Sequence, residues 1–195
     1  MVNKKVVWIV AIVLVVAITW MSSQYFTGAG ERANVSDISG NAIFEANGEM
    51  ELVDENKISF EFEGYNPARS HIGTFEDFDA YIIVDNGEVV GVKGVINASS
   101  VSTGIDKLDN HLRSNDFFDV EKYPKIEFIS TNIDKKNGEI KGVLNFRGIS
   151  KEISFPAEFK GDGISTEFFL NTEPFSFKYT AVNKEVRIKI NFEKV

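Results

Sequence analysis

The chain holds two histidines, His71 and His111, and no cysteine. His111 stands two residues after Asp109 and shortly before Asp116 and Asp119, so four groups able to exchange protons or bind cations fall in one short stretch. An Asp-x-His pair can ligate a divalent cation or work as an acid–base pair. Metal and hydrolytic centres ordinarily draw on more, such as a second nearby His, a thiolate, or a nucleophile in a recognisable turn. None accompanies this cluster. The lack of Cys also removes disulfides, thiolate ligands, a Cys nucleophile and a lipid-modified N-terminal Cys. The simpler reading is that these side chains cap a helix and pin the connection after it. The expectation is therefore no catalytic residue, no metal and no cofactor, with a metal-dependent enzyme using Asp109 and His111 as the alternative.

The elements around the cluster are read from period-two alternation. Ile58, Phe60 and Phe62 alternate with Ser59, Glu61 and Glu63. Val90, Val92, Gly94, Ile96 and Ala98 share a face, as do Ile140, Gly142, Leu144 and Phe146. Ile153, Phe155, Ala157 and Phe159 form another such run, interrupted by Pro156, which marks an edge or a bulge. Ile164, Thr166, Phe168 and Leu170 follow, and Val186, Ile188, Ile190 and Phe192 come last. One wet face and one apolar face per strand is the mark of antiparallel sheets. Asn47-Gly48, Asp85-Asn86-Gly87, Asn137-Gly138 and Gly161-Asp162-Gly163 supply the turns. Only Ser102 to Arg113 breaks the alternation, with Ile105, Leu108 and Leu112 spaced for a short helix. The fold class expected is all-β, and the periodicity leaves a sandwich and a closed barrel equally open.

Composition and charge narrow the partners. With 43% hydrophobic and 26% charged residues, the chain has the balance of a globular protein. Phe is the dominant aromatic, 17 against 5 Tyr and 2 Trp, which gives much apolar surface to bury in a core or around a ligand. The net charge is −8, which repels phosphate backbones and excludes nucleic acid as a natural partner. Lys4 and Lys5 precede an apolar run from Val6 to Met21. Continued through Phe26 as a helix at about 1.5 Å per residue, it reaches roughly 31 Å, enough to cross a bilayer. The lysines would hold the N-terminus in the cytoplasm and place the rest outside; a cleaved signal peptide is the competing reading. The organisation expected is a single-pass membrane anchor or signal peptide over residues 1–26, a linker over 27–39, and one β domain over 40–195 on the periplasmic or extracellular side. The sequence leaves a homodimer open.

A longer pattern then comes into view. Asp109, His111 and Leu112, then Ser114, Asp116, Phe117, Phe118 and Asp119, then Tyr123 and Pro124 form D-x-H-L, S-x-D-F-F-D and Y-P in order. Ile96-Asn97-Ala98-Ser99-Ser100-Val101 precedes them, and Gly142-Val143-Leu144-Asn145-Phe146-Arg147-Gly148 follows. This set resembles the YceI-like family, over roughly Ser39 to the C-terminus. The resemblance implies an antiparallel lipocalin-like β-barrel of about eight strands, with a short helix in one connection. It also implies a polyisoprenoid or similar amphiphilic lipid in the barrel cavity. Two features depart from the family: Leu108 stands where members usually carry Arg, and no His-Ser pair occurs between Ser39 and Phe62.

The functional expectation is binding of a long apolar lipid, probed by the inward residues Phe60, Phe62, Phe128, Leu144, Phe146, Phe155, Phe159, Phe168, Ile188 and Ile190. Lipid cavities are apolar, with few polar groups to orient a head. The competing expectation is that these side chains simply fill a core, in a structural or interaction module without a small ligand.

Overall fold

A computed structural model describes residues 30–38, 48–66, 68–161, 163–177 and 182–193. In chain order its elements are β1 (Asn34–Ser36), β2 (Glu49–Leu52), β3 (Ile58–Asn66), β4 (Arg69–Phe75), β5 (Phe78–Asp85), β6 (Glu88–Asn97), β7 (Val101–Ser102), α1 (Asp106–Arg113), β8 (Lys125–Asp134), β9 (Glu139–Phe146), β10 (Ile149–Pro156), β11 (Glu158–Lys160), β12 (Gly163–Asn171) and β13 (Glu185–Phe192). The alternation read from the sequence puts its apolar partners in register across strands. Phe62 faces Ile188 and Phe60 faces Ile190 between β3 and β13, and Ile188 continues to Phe168 on β12. Such aligned rows are what stabilises one side of an antiparallel ladder. Asn86 and Gly87 both take positive φ, 50° and 83°, as a tight β5–β6 hairpin of the I′ type requires.

The expected closed barrel of about eight strands does not form. Among the described residues, hydrogen bonding runs in two separate antiparallel sheets. One has seven strands in the order β1-β10-β9-β8-β6-β5-β2, the other six in the order β11-β12-β13-β3-β4-β7. The reason lies where the chain changes sheet. It crosses between β2 and β3, between β4 and β5 at Glu76 and Asp77, between β6 and β7 in a 3₁₀ turn at Ala98–Ser100, between β7 and β8 through α1, and between β10 and β11 at Ala157. Each crossing bends the ladder instead of carrying it round, as at the corners of packed sheets. Ile153 to Phe159 is therefore not one strand. Pro156 ends β10, and Phe159 lies in β11 of the other sheet. At this seam the segment before β1 bridges the two sheets. Arg32 forms a short parallel bridge with Phe169, in which the Ala33 N–H donates to the Phe169 carbonyl and the Phe169 N–H to the Glu31 carbonyl, and Val35 then pairs with Ile153. β1 thus falls within the segment expected as linker.

The expected membrane helix, over residues 1–26, lies outside the described residues. Among the described residues, no helix is long and apolar enough to cross a membrane.

The short helix expected near Ser102 to Arg113 is α1. Its N-cap, Ile105, is extended, 46% exposed and has no capping side chain. The turn is held from inside instead, since the buried Asp109 carboxylate accepts from the Thr103 N–H at 2.8 Å and the Thr103 hydroxyl at 2.6 Å. At the other end the Arg113 guanidinium donates to the carbonyls of Ser99 at 2.7 Å and Val101 at 2.6 Å. A cation in the last turn also complements the helix dipole. These bonds fix α1 across β7, with Leu108 and Leu112 turned to the space between the sheets.

Candidate functional site

The inner faces of the two sheets do not meet everywhere. Between them lies a cavity of about 550 Å³. The six-stranded sheet contributes Phe60 and Phe62 from β3, Phe168 from β12, and Ile188 and Ile190 from β13. The seven-stranded sheet contributes Val92 and Ile96 from β6, Phe128 from β8, Leu144 and Phe146 from β9, and Phe155 from β10. Leu108 and Leu112 of α1, with Phe117 and Phe118 after it, complete the wall. Aromatic rings hold these walls in place. Phe155 and Phe168 stack across the sheets at 4.4 Å and 13°. Phe75 packs at 5.6–5.7 Å against Phe60, Phe62 and Phe118.

The space stays open because of residues that are small. Gly64 and Gly94 line it, and a Cβ added to either would meet no atom within 4 Å. Gly94 pairs with Ala80 on β5, so two adjacent strands present almost no side chain at that level. Gly142 plays the opposite part, since the Phe128 ring lies 2.5 Å from where its Cβ would stand, so glycine there lets the wall close.

Of the inward residues named from the sequence, all but Phe159 line the cavity. Phe159 packs half-buried against the core on β11, the edge strand of the six-stranded sheet. The family-motif residues divide between structure and wall. Leu112, Phe117 and Phe118 line the space. Asp109 holds Thr103, and the Pro124 carbonyl accepts from the Ala98 N–H at 2.9 Å. His111 sets its ring edge-on to Phe117 at 5.0 Å, with Nε2 3.4 Å from Asp116 Oδ2. The buried Arg147 guanidinium donates to the Phe117 carbonyl and lies 5.5 Å from the Phe177 ring. Asp109 and His111 thus engage different partners. Among the described residues, no group of three or more His, Asp or Glu is placed to hold a metal ion.

Sequence reasoning missed the polar end of the cavity. Tyr65 and Asn66 at the end of β3, His71 on β4, and Thr172, Glu173, Asn183 and Lys184 around the β12–β13 connection all line it. They belong together: His71 pairs with Gly64, and the Asn183 N–H donates to the Tyr65 carbonyl at 2.8 Å. Continuing the phase of Phe60, Phe62 and Gly64 to Asn66, and of Phe168 and Leu170 to Thr172, would have found two of them.

The outer face of the same sheet is charged. Arg187 on β13 lies 2.7 Å from Glu63, 3.1 Å from Glu167 and 3.6 Å from Glu61. The Tyr65 hydroxyl donates to Glu63 at 2.8 Å. Burial pushes the Tyr65 phenol up to about 12, helped by that hydrogen bond and the Glu63 charge. Burial works against the Glu63 anion, but hydrogen bonds from Ser70 and Tyr65 and the Arg187 charge prevail and hold its carboxyl below the ordinary value.

Comparison with known proteins agrees with this architecture. Protein YceI of Salmonella arizonae is 34% identical over 122 residues, 60% of this chain and 60% of its own length. The chain thus spans about 60% of the length of the curated relatives it matches. BcnA of Burkholderia cenocepacia superposes with a TM-score of 0.64 at 19% identity, covering 71% of this chain and 97% of its own. A polyisoprenoid-binding domain from Saccharophagus degradans superposes with a TM-score of 0.58 at 14% identity, covering 74% and 97%. At these identities the two structures establish the fold alone. The YceI-like domain family itself matches residues 51–194, from β2 through β13, and the chain belongs to that family.

Proposed function

We propose that this chain binds a long apolar lipid, of polyisoprenoid type, in the cavity between its two sheets, and that it does so outside the cytoplasmic membrane. The observation that carries this reading is an apolar, Phe-lined space of about 550 Å³ that the side chains leave unfilled. Its size falls within the usual range of small-molecule sites, roughly 300–1,000 Å³. At the roughly 30 Å³ a water-sized group occupies, it takes on the order of twenty non-hydrogen atoms. The Saccharophagus degradans domain of the same fold is a polyisoprenoid-binding one, which supports the ligand class. Lys4 and Lys5 before the Val6 to Met21 run support the location.

The test is to purify the chain from cells without detergent and record its native mass spectrum, then extract it with organic solvent and identify what is released. A stoichiometric isoprenoid or comparable lipid is the expected outcome. A protein that carries nothing, and that takes up no polyprenol when one is supplied, would refute the reading.

A further inference from the structure

We infer that the lipid enters and leaves sideways, through the seam between β10 and β12, and that the segment from Arg32 to Asp37 is the strap that closes this portal. The inference rests on the lipid-binding reading above and concerns the route into the cavity.

The two sheets meet along two seams, and the chain stitches them unequally. On the side of β2 and β7 it passes directly from sheet to sheet three times, between β2 and β3, β4 and β5, and β6 and β7, and it returns once more through α1. On the side of β1 and β11 it passes once, at Ala157. Next to that corner the Thr166 hydroxyl donates to the Pro156 carbonyl at 2.6 Å. Away from it, among the described residues, no ladder joins β10 to β12. Yet Ile153 and Phe155 on the one strand, and Phe168 and Leu170 on the other, line the cavity. A wall with no backbone ladder across it is the part that opens with least disruption.

The strap lies over this gap. Its first half sits on the six-stranded sheet, where the two backbone bonds between the Glu31–Ala33 stretch and Phe169 are both 2.9 Å. A Cβ on Gly30 would stand 2.6 Å from the Phe169 ring, so glycine lets the backbone lie flush against it. The second half is β1, three residues paired with Ser154, Ile153 and Glu152 of β10. Ala33 and Val35 turn inward and pack against the core, whereas Arg32, Asn34 and Ser36 are exposed. Each end is clasped to a different sheet by a surface ion pair. Arg32 holds Glu185 of β13 through bonds of 2.6 and 3.1 Å, and Lys151 of β10 holds Asp37 at 2.5 Å. Surface ion pairs contribute little each, and a three-residue edge strand contributes less than the long ladders behind it. The strap therefore lifts before the sheets part.

The experiment locks the strap. The chain has no cysteine, so one engineered pair yields one disulfide. Asn34 and Ser154 are register partners beside the inward pair Val35 and Ile153. Facing residues of an antiparallel pair stand about 4.5–5.5 Å apart, within disulfide reach. The full chain carrying Asn34→Cys with Ser154→Cys is loaded with geranylgeraniol, and excess N-phenyl-1-naphthylamine is added. The rise in its fluorescence then times the departure of the alcohol. Oxidation is expected to slow release about tenfold or more, to slow loading equally and to leave Kd unchanged, with dithiothreitol restoring both rates. Arg32→Gln combined with Asp37→Asn is expected to speed both rates several-fold, as raised salt should in the unaltered chain. Equal rates in the oxidised and reduced forms would overturn the inference while leaving lipid binding intact. So would a cysteine pair that does not close under mild oxidant, because the strap would not then sit on β10. A Kd that shifts on oxidation while the loading rate holds would make the strap a fixed part of the wall, and would overturn it too. If the unaltered chain takes up neither geranylgeraniol nor the fluorophore, the lipid-binding reading itself fails, and the portal with it.

Discussion

The six-stranded sheet has two faces built from the same strands, and they are finished in opposite ways. Outside, Glu61, Glu63 and Glu167 converge on Arg187 at 2.7–3.6 Å, and the Tyr65 hydroxyl closes the cluster by donating to Glu63. Inside, Phe60, Phe62, Phe168, Ile188 and Ile190 pack sideways against one another but face an open space. One alternating pattern thus yields a surface complete in itself and a surface that requires something else. The difference shows where the chain gives up packing: close-packed interiors are the norm, and a persistent apolar void is a departure that binding would offset.

The comparison is broken most directly at Phe168. It is 4% exposed and stacked on Phe155, so it belongs to the filled part of the inner face even though it borders the cavity. Phe168→Ala is expected to lower unfolding stability by about 3–5 kcal/mol, the range for a buried Phe, read as a shifted urea midpoint. A loss below about 1 kcal/mol would mean that the sheets are not braced by that stack. The same truncation would also loosen binding, so the stability change is the informative measurement.

Gly94→Leu sharpens the contrast from the other side. The added Cβ meets no atom within 4 Å and the side chain points into the cavity, and leucine at a strand position avoids the backbone entropy that glycine carries. Lipid affinity is expected to fall by about tenfold, or 1.4 kcal/mol, while the unfolding midpoint stays level or rises. Destabilisation together with loss of binding would show that the level of Gly94 and Ala80 is already packed.

How much of this could be read in advance depends on range. Strands β3, β9, β12 and β13 were legible because their alternation is long and unbroken, as was β6 from Val92 onward, before which the ladder skips Val90 and Val89 turns into the core. β1, β2, β7 and β11 have only 3, 4, 2 and 3 residues, too few for a period to declare itself. β4 hides because its inward positions His71 and Gly73 leave Phe75 as its one large apolar inward side chain, while Ile72 faces out at 52% exposure. In β5, Ile82 and Ile83 are both buried and the ladder shifts after Ile83, which erases the two-residue rhythm. Ile153 to Phe159 keeps its phase through Ala157, where the chain changes sheet, so phase alone reported one strand. Whether ladders close is a question of distant hydrogen bonds, which local pattern does not contain. The motif residues were legible as a group, but Asp109 holds Thr103, in the turn before the helix and not in the connection after it. His71 was noticed only as one of two histidines, whereas its neighbours place it at the polar end of the cavity.

The smallest expected effect concerns the outer face, and it is read by pH. The Glu63 carboxyl is held below its ordinary 4.5 in the folded chain. An unfolded chain therefore binds a proton there before the folded one does. The stabilisation from this group is complete above about pH 4.5 and disappears as the pH falls through the folded value. Tyr65 acts at the other extreme. Its phenol is raised from 10.0 to about 12 on folding, so the unfolded chain loses that proton first. The contribution is present below pH 10 and declines as the pH climbs towards 12. Unfolding free energy is thus expected to drop in both directions from a neutral plateau. Glu63→Gln should flatten the acid side and, by removing a cause of the Tyr65 shift, bring tyrosinate absorbance in at lower pH. If Glu63→Gln left both limbs unchanged, the outer cluster would be a set of adjacent charges without coupling, and the two faces would differ only in polarity.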